Sequence, residues 1–114
     1  MSTRSSAARY ARALLDVAIK ESDPQRIGEE LTAFAALVSP HADLREALTN
    51  PVVPASAKHR LVNELVTRQG LKGPVAKLLL MLAERDRFIV LPELLELYRE
   101  RLMEHQGVLR AEVT

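Results

Sequence analysis

The sequence predicts an all-α protein, a six-helix bundle with a short β-like tail at its C-terminus. Three observations carry that reading. Apolar residues recur at helical spacing along almost the whole chain. Ala and Leu, which favour helix over strand, supply most of the apolar content. Proline and glycine interrupt the pattern at intervals suited to short helices joined by turns. One domain is the natural count for 114 residues, and folding at this size buries about 65% of the unfolded surface. With 47% hydrophobic but only 4% aromatic residues, the core must be built from small and medium side chains. That composition suits close helix-on-helix packing.

The first helix is expected from about Ser6 to Glu21, with Ser5 or Ser6 as its N-cap. Asp23-Pro24 starts the second, a capping carboxylate followed by proline at the first helical position. Its stripe is Ile27, Leu31, Phe34, Ala35 and Val38, and Pro40 ends it. A short third helix runs from Asp43 to about Leu48, where Asp43 and Glu46 have capping-box spacing. Asn50-Pro51 stops it, because the residue before proline is driven out of helical geometry. Pro54 opens a fourth helix with Leu61, Val62, Leu65 and Val66 inward, closed by Gly70. Gly73-Pro74 starts a fifth, from Val75 to about Asp86. The sixth follows Pro92, turns Leu94, Leu95, Tyr98 and Leu102 inward, and ends at Gly107. Val108 to Thr114 alternates as a strand does. A lone strand has nothing to pair with, so this tail reads as the opening of something further. Residues 1–106 are thus assigned to the bundle and 107–114 to a linker.

Charge and composition exclude several functions. The formal charge is +1, from 16 basic against 15 acidic residues, which is no strong footprint for nucleic acid or anionic membrane. Cysteine is absent, which removes disulfides, thiolate nucleophiles and cysteine metal sites. The longest uncharged apolar run, Leu78 to Ala83, is too short to span a bilayer. Met1 to Ala8 has no apolar segment of the kind a signal peptide needs. A soluble cytoplasmic protein is the default expectation.

Catalytic and ligand chemistry finds no support. His41, His59 and His105 stand far apart, outside metal-ligand spacing, and surface positions on helices account for them. Glu29-Glu30 and Glu93-x-x-Glu96 fit solvated helix faces better than an acid–base pair. Gly73-Pro74 lacks the pattern of a phosphate loop. Arg4, Arg9, Arg12 and Lys20 could touch phosphates, but Asp16 interrupts them and no aromatics interleave for base stacking. No enzyme, no metal and no cofactor is expected.

Two helices carry more apolar surface than a small bundle needs. At about 100° per residue, the first confines Arg9, Arg12, Asp16 and Lys20 to one strip. The rest is an apolar arc of roughly 240°, against about 100° or slightly more for an ordinary surface helix. Ala7, Ala11, Leu14 and Ala18 sit at its centre, while Tyr10, Ala13 and Val17 form a separate flank. In the fifth helix, Val75, Leu79, Leu82 and Ala83 suffice for a core stripe. Leu78 and Met81 lie on another side, in line with Arg85, and Leu80 on the opposite edge. Such helices are either central to the core or covered by a partner. Periodicity alone leaves both open, although the flexible thioether of Met81 suits an adaptable helix-binding surface.

Four segments resemble one family. Ala8-Arg9-Tyr10-Ala11-Arg12-Ala13-Leu14 resembles the opening helix of the δ subunit of bacterial F-type ATP synthase, the OSCP of mitochondria. Asn50-Pro51-x-x-Pro54 followed by Lys58 resembles its third-to-fourth helix junction. Leu79-x-x-Leu82-Ala83-Glu84-x-x-Arg87 with Leu91-Pro92-Glu93 resembles its fifth and sixth helices, and Gly107 with Ala111-Glu112-Val113-Thr114 its interdomain link. Each segment is weak alone; their order along the whole chain is specific.

The resemblance implies an N-terminal six-helix domain seated on the catalytic head. There it would bind the N-terminal helix of an α subunit in a groove between its first and fifth helices. By position, Tyr10, Ala13, Leu14 and Val17 would supply one side, and Leu78, Met81, Leu82 and Arg85 the other. Ala13 would let the partner backbone approach closely. Arg85 could meet a partner carboxylate or aromatic, or merely complement its own helix C-terminus. The family continues into an α/β domain that binds the b subunit of the peripheral stalk. This sequence stops where that domain's first strand would begin, so a fragment of a longer protein is expected. The implied location is peripheral, on the cytoplasmic face of the bacterial inner membrane, without direct membrane insertion. The rival is a helical regulatory domain that binds nucleic acid through the basic strip, which predicts steeply salt-dependent affinity for duplex.

Overall fold

The computed structural model describes residues 3–21 and 23–113, with the backbone alone for residues 3 and 108–113. Six helices follow in order: α1 (Thr3–Glu21), α2 (Pro24–Val38), α3 (Ala42–Thr49), α4 (Ala55–Gln69), α5 (Pro74–Glu84) and α6 (Leu91–Val113). A single 3₁₀ turn, Phe88–Val90, links α5 to α6. No strand occurs among the described residues.

Local chemistry sets most of the boundaries. Asp23 caps α2 by accepting a hydrogen bond from the Gln25 amide at 3.0 Å, with Pro24 at the first helical position. Asn50 ends α3 with its side chain folded into a turn, accepting from the Val52 amide at 2.9 Å and donating to Glu46 at 3.0 Å. Gly70, at φ 69°, closes α4 in a left-handed conformation that costs a glycine almost nothing. The Gly70 and Leu71 amides then donate to Thr67 and Val66.

Four expectations change at the helix ends. α1 starts at Thr3, upstream of the serines, because no proline or glycine lies there to stop it. α3 starts at Ala42 with His41 at its N-cap and no side-chain cap. Asp43 therefore falls in the first turn, where a carboxylate still favours the helix N-terminus. α6 begins at Leu91, just ahead of Pro92, and does not end at Gly107. It runs on through Leu109, Arg110, Ala111 and Glu112, all good or fair helix formers, so the β-like tail is helical backbone. One interior glycine costs only about 1 kcal/mol, too little to end a long helix.

α1 is the central helix and touches α2, α5, α6 and the 3₁₀ turn, with α6 as its main neighbour. Ala7, Ala11 and Ala18 have no exposed surface, and Leu14 and Leu15 are buried beside them. Small residues on this face let α6 approach closely. α4 and α5 form an antiparallel pair, with α5 between α4 and the rest. Phe34 of α2 and Phe88 of the 3₁₀ turn meet at 6.0 Å between ring centroids, tilted by 59°. From α6, Tyr98 donates to the Pro24 carbonyl at 2.7 Å and so ties α6 to the start of α2.

Candidate functional site

The two wide apolar faces adjoin. α1 and α5 run antiparallel, so that Val17 and Glu21 lie by Pro74 and Lys77, while Arg87, just beyond α5, reaches Tyr10. Between them runs an open trough of about 320 Å³ lined by Tyr10, Ala13, Leu14, Val17, Glu21, Pro74, Lys77, Leu78 and Met81. α1 is therefore central without being covered. Its core face meets α6 while Ala13 and Val17 remain exposed, Val17 at 38%.

The eight residues singled out from the sequence separate into four groups. Tyr10, Ala13, Val17 and Met81 line the trough and are exposed or half-buried. Leu14 and Leu78 are buried beneath them and form its floor, with Leu78 only 8% exposed. Leu82 has no exposed surface and belongs to the core; it does not line the trough. The reason is angular, since Leu82 lies four residues after Leu78 and turns about 40° further inward. Arg85 is exposed at the end of α5, outside the lining.

Three lining residues were not singled out: Glu21, Pro74 and Lys77. Glu21 and Lys77 are polar and drop out of any search for apolar stripes. Their place follows from the antiparallel pairing, which sets the end of α1 against the start of α5. Ile19, 45% exposed, was also missed; it lies beyond the basic strip, away from the trough. Arg9, Arg12, Asp16 and Lys20 do form an exposed strip, with the carboxylate of Asp16 among the cations.

At the Tyr10 end, Arg87 donates to the tyrosine hydroxyl at 3.5 Å, a long contact. The turn that carries Arg87 is fixed from behind by Lys58 of α4, fully buried and ion-paired with Asp86. At the opposite end a second hollow of about 440 Å³ continues from the trough and shares Val17, Glu21, Pro74 and Lys77 with it. Among the described residues no group of three or more His, Asp or Glu side chains could hold a metal ion. What the trough offers is mainly apolar surface along two walls, one from α1 and one from α5.

A larger cleft of about 640 Å³ opens elsewhere, between the ends of α2, α3 and α6 and the 3₁₀ turn. It is lined by Val38, Leu48 and Leu91 with the 60%-exposed Ile89 at its edge. It lies where short elements converge and lacks the two continuous walls of the α1–α5 trough.

Comparison with known proteins agrees with the resemblance. The family model described as ATP synthase delta (OSCP) subunit matches residues 7–114. A protein called ATP synthase subunit delta from Methylorubrum populi is 36% identical over 107 residues, 94% of this chain and 57% of that protein. Its namesake from Geotalea uraniireducens is 32% identical over 114 residues, all of this chain and 63% of that protein. Another, from Citrifermentans bemidjiense, is 36% identical over 110 residues, 96% of this chain and 61% of that protein. The chain thus spans between 57% and 63% of the length of these relatives.

Proposed function

The chain belongs to the ATP synthase delta (OSCP) subunit family, and on that premise we propose that its α1–α5 trough holds the N-terminal helix of an ATP synthase α subunit. One observation carries the reading. The flanks of α1 and α5 that the core does not use lie side by side, with exposed Ala13 and Val17 and half-buried Tyr10 and Met81 over a floor of Leu14 and Leu78. The domain then acts as a mechanical adaptor and not as an enzyme. It ties the stationary head to the peripheral stalk, so that rotor torque is used at the catalytic sites instead of spinning the head. Contact with the b subunit belongs to a second domain of the family and is not assigned to these residues. No described helix is long and apolar enough to cross a membrane; the place proposed for the domain is peripheral, on the cytoplasmic face of the bacterial inner membrane.

The work done is binding free energy. Each Leu- or Met-sized side chain buried in the trough supplies roughly 1.5–3 kcal/mol gross. Ordering the partner helix and losing rigid-body freedom offset much of it. Several anchors in one groove still leave a useful surplus.

The test is an NMR titration of this chain with a peptide from an α-subunit N-terminus, with Ala13→Asp and Met81→Asp alongside. The expected result is shifts along α1 and α5, and a loss of about tenfold or more in affinity for each variant, or 1.4 kcal/mol. Helical content and cooperative melting should persist, since Ala13 is exposed and Met81 only half-buried. Unchanged affinity in both variants, or shifts confined to other helices, would overturn the assignment.

A further inference from the structure

The charges around the trough are not balanced, although the chain as a whole carries only +1. On α1, Lys20 lies seven residues after Ala13 and only about 20° from it around the helix, so it edges the same wall. On α5, Lys77 lines the trough itself, and Arg85 stands one turn beyond Met81 at the helix end. Arg87 holds the Tyr10 hydroxyl at that same end. Lys72 lines the hollow that continues the trough at the other end.

The anions nearby are few or engaged. Glu30 pairs with Arg26 in the continuing hollow at 3.5 Å. Glu84, about 20° round α5 from Lys77, is turned to His59 of α4 at 3.3 Å. Asp16 lies about 60° round α1 from Ala13, beyond Lys20. Only Glu21 is an acid in the trough lining. Lys20, Lys72, Lys77 and Arg85 make no ion pair within 4 Å with any described residue. The cations therefore stand along both walls and at both ends, exposed and outside any ion pair among the described residues.

We infer that the trough selects an amphipathic helix whose polar flanks are acidic, with carboxylates on either side of the apolar stripe. This rests on the reading of the trough as a helix-binding site and adds to it the chemistry of the partner. Carboxylates flanking the stripe meet Lys20 on one wall and Lys77 and Arg85 on the other, while basic flanks meet like charge. Rim charges of this kind act mainly on encounter and on the rejection of wrong partners. The apolar floor supplies the rest.

Two synthetic 20-residue helices with one shared Leu/Ile stripe test the inference, one with Glu flanks and one with Lys flanks, plus a Glu peptide with its stripe scrambled. Each is titrated into the 114-residue chain at low and at high salt, with the affected residues located by NMR. The acidic helix should bind about tenfold or more tightly than the basic one at low salt. The difference should collapse at about 1 M salt, where the screening length is about 3 Å. Lys77→Glu with Arg85→Glu, both surface changes, should narrow or reverse the preference. Equal affinities with shifts along α1 and α5 would overturn the charge selection and leave the helix-binding reading standing. Equal binding of the scrambled peptide would overturn it too, because the trough would then play no part. If neither striped helix shifts α1 or α5, the helix-binding reading falls and this inference with it.

Discussion

Lys58 donates its buried ammonium to the carboxylate of Asp86, across 28 residues of sequence and two helices. Asp86 holds a left-handed conformation, φ 54°, just past α5. The Asp86 and Arg87 amides donate to Ala83 and Leu82, the same closing pattern that Gly70 makes for α4. A glycine makes that turn freely, whereas an aspartate makes it at some cost. The ion pair with Lys58 holds Asp86 there and so positions Arg87 against Tyr10.

The two partners of this pair should not be equivalent. Asp86→Asn leaves a fully buried ammonium without its counter-charge and should cost about 3 kcal/mol. Lys58→Met fills the same space with an apolar chain, and it leaves a carboxylate that is already 43% exposed to water. It should cost less, about 1 kcal/mol. Urea unfolding of both variants measures the order, and equal losses would refute it.

Gly28 sits inside α2 against the ring of Tyr98. A Cβ added there would lie 3.2 Å from the ring edge. The ring cannot yield easily, since its hydroxyl is fixed on the Pro24 carbonyl. Alanine normally gains about 1 kcal/mol over glycine in a helix; Gly28→Ala should instead destabilise by about 1 kcal/mol. In a Tyr98→Phe background, where the ring is free to shift, the penalty should shrink, as a double-mutant cycle would reveal.

Burial, with a smaller contribution from the charge of Asp23, pushes the Tyr98 hydroxyl from 10.0 up to about 12. The folded state keeps its proton where the unfolded chain has lost it. The stabilising contribution is therefore complete below pH 10 and is lost as pH rises through about 12. Thermal melts from pH 9 upward should show this decline, and the Tyr98→Phe protein should lose this component of it.

Core and trough should respond differently to substitution. Leu82→Ala removes a side chain with no exposed surface and should cost 2–5 kcal/mol. Ala13→Ser alters an exposed position on the trough wall and should stay within about 0.5 kcal/mol of the parent. Chemical denaturation compares them directly. A large loss at Ala13 would place that residue in the core.

What the sequence made legible was local chemistry and angular position. Asp23-Pro24 and Gly70 act within their own turns, and each stands where the pattern placed it. The apolar flanks of α1 and α5 were legible because a wheel reports faces. It reports depth less well, so Leu82 entered the groove set although the core encloses it. The burial of Lys58 was hidden because its partner lies 28 residues on, just past α5, and no local pattern marks a lysine for the interior. Gly107 misled in the opposite direction. A glycine ends a helix when its backbone turns left-handed, and Gly107, unlike Gly70, does not. Glu46 likewise had the spacing of a capping box, but its carboxylate accepts from Asn50 instead.

The trough has no counterpart in any single stretch of chain. Tyr10 on one wall and Arg87 beside the other are 77 residues apart, and between them the chain builds α2, α3, α4 and α5. A half-folded molecule, or one with α5 undocked, has one wall and hence no binding site. A helix that docks there recognises only finished domains, and mass action makes it stabilise the entire fold in proportion to its free concentration. On the proposed function, occupancy is a form of inspection that distinguishes copies that have completed folding.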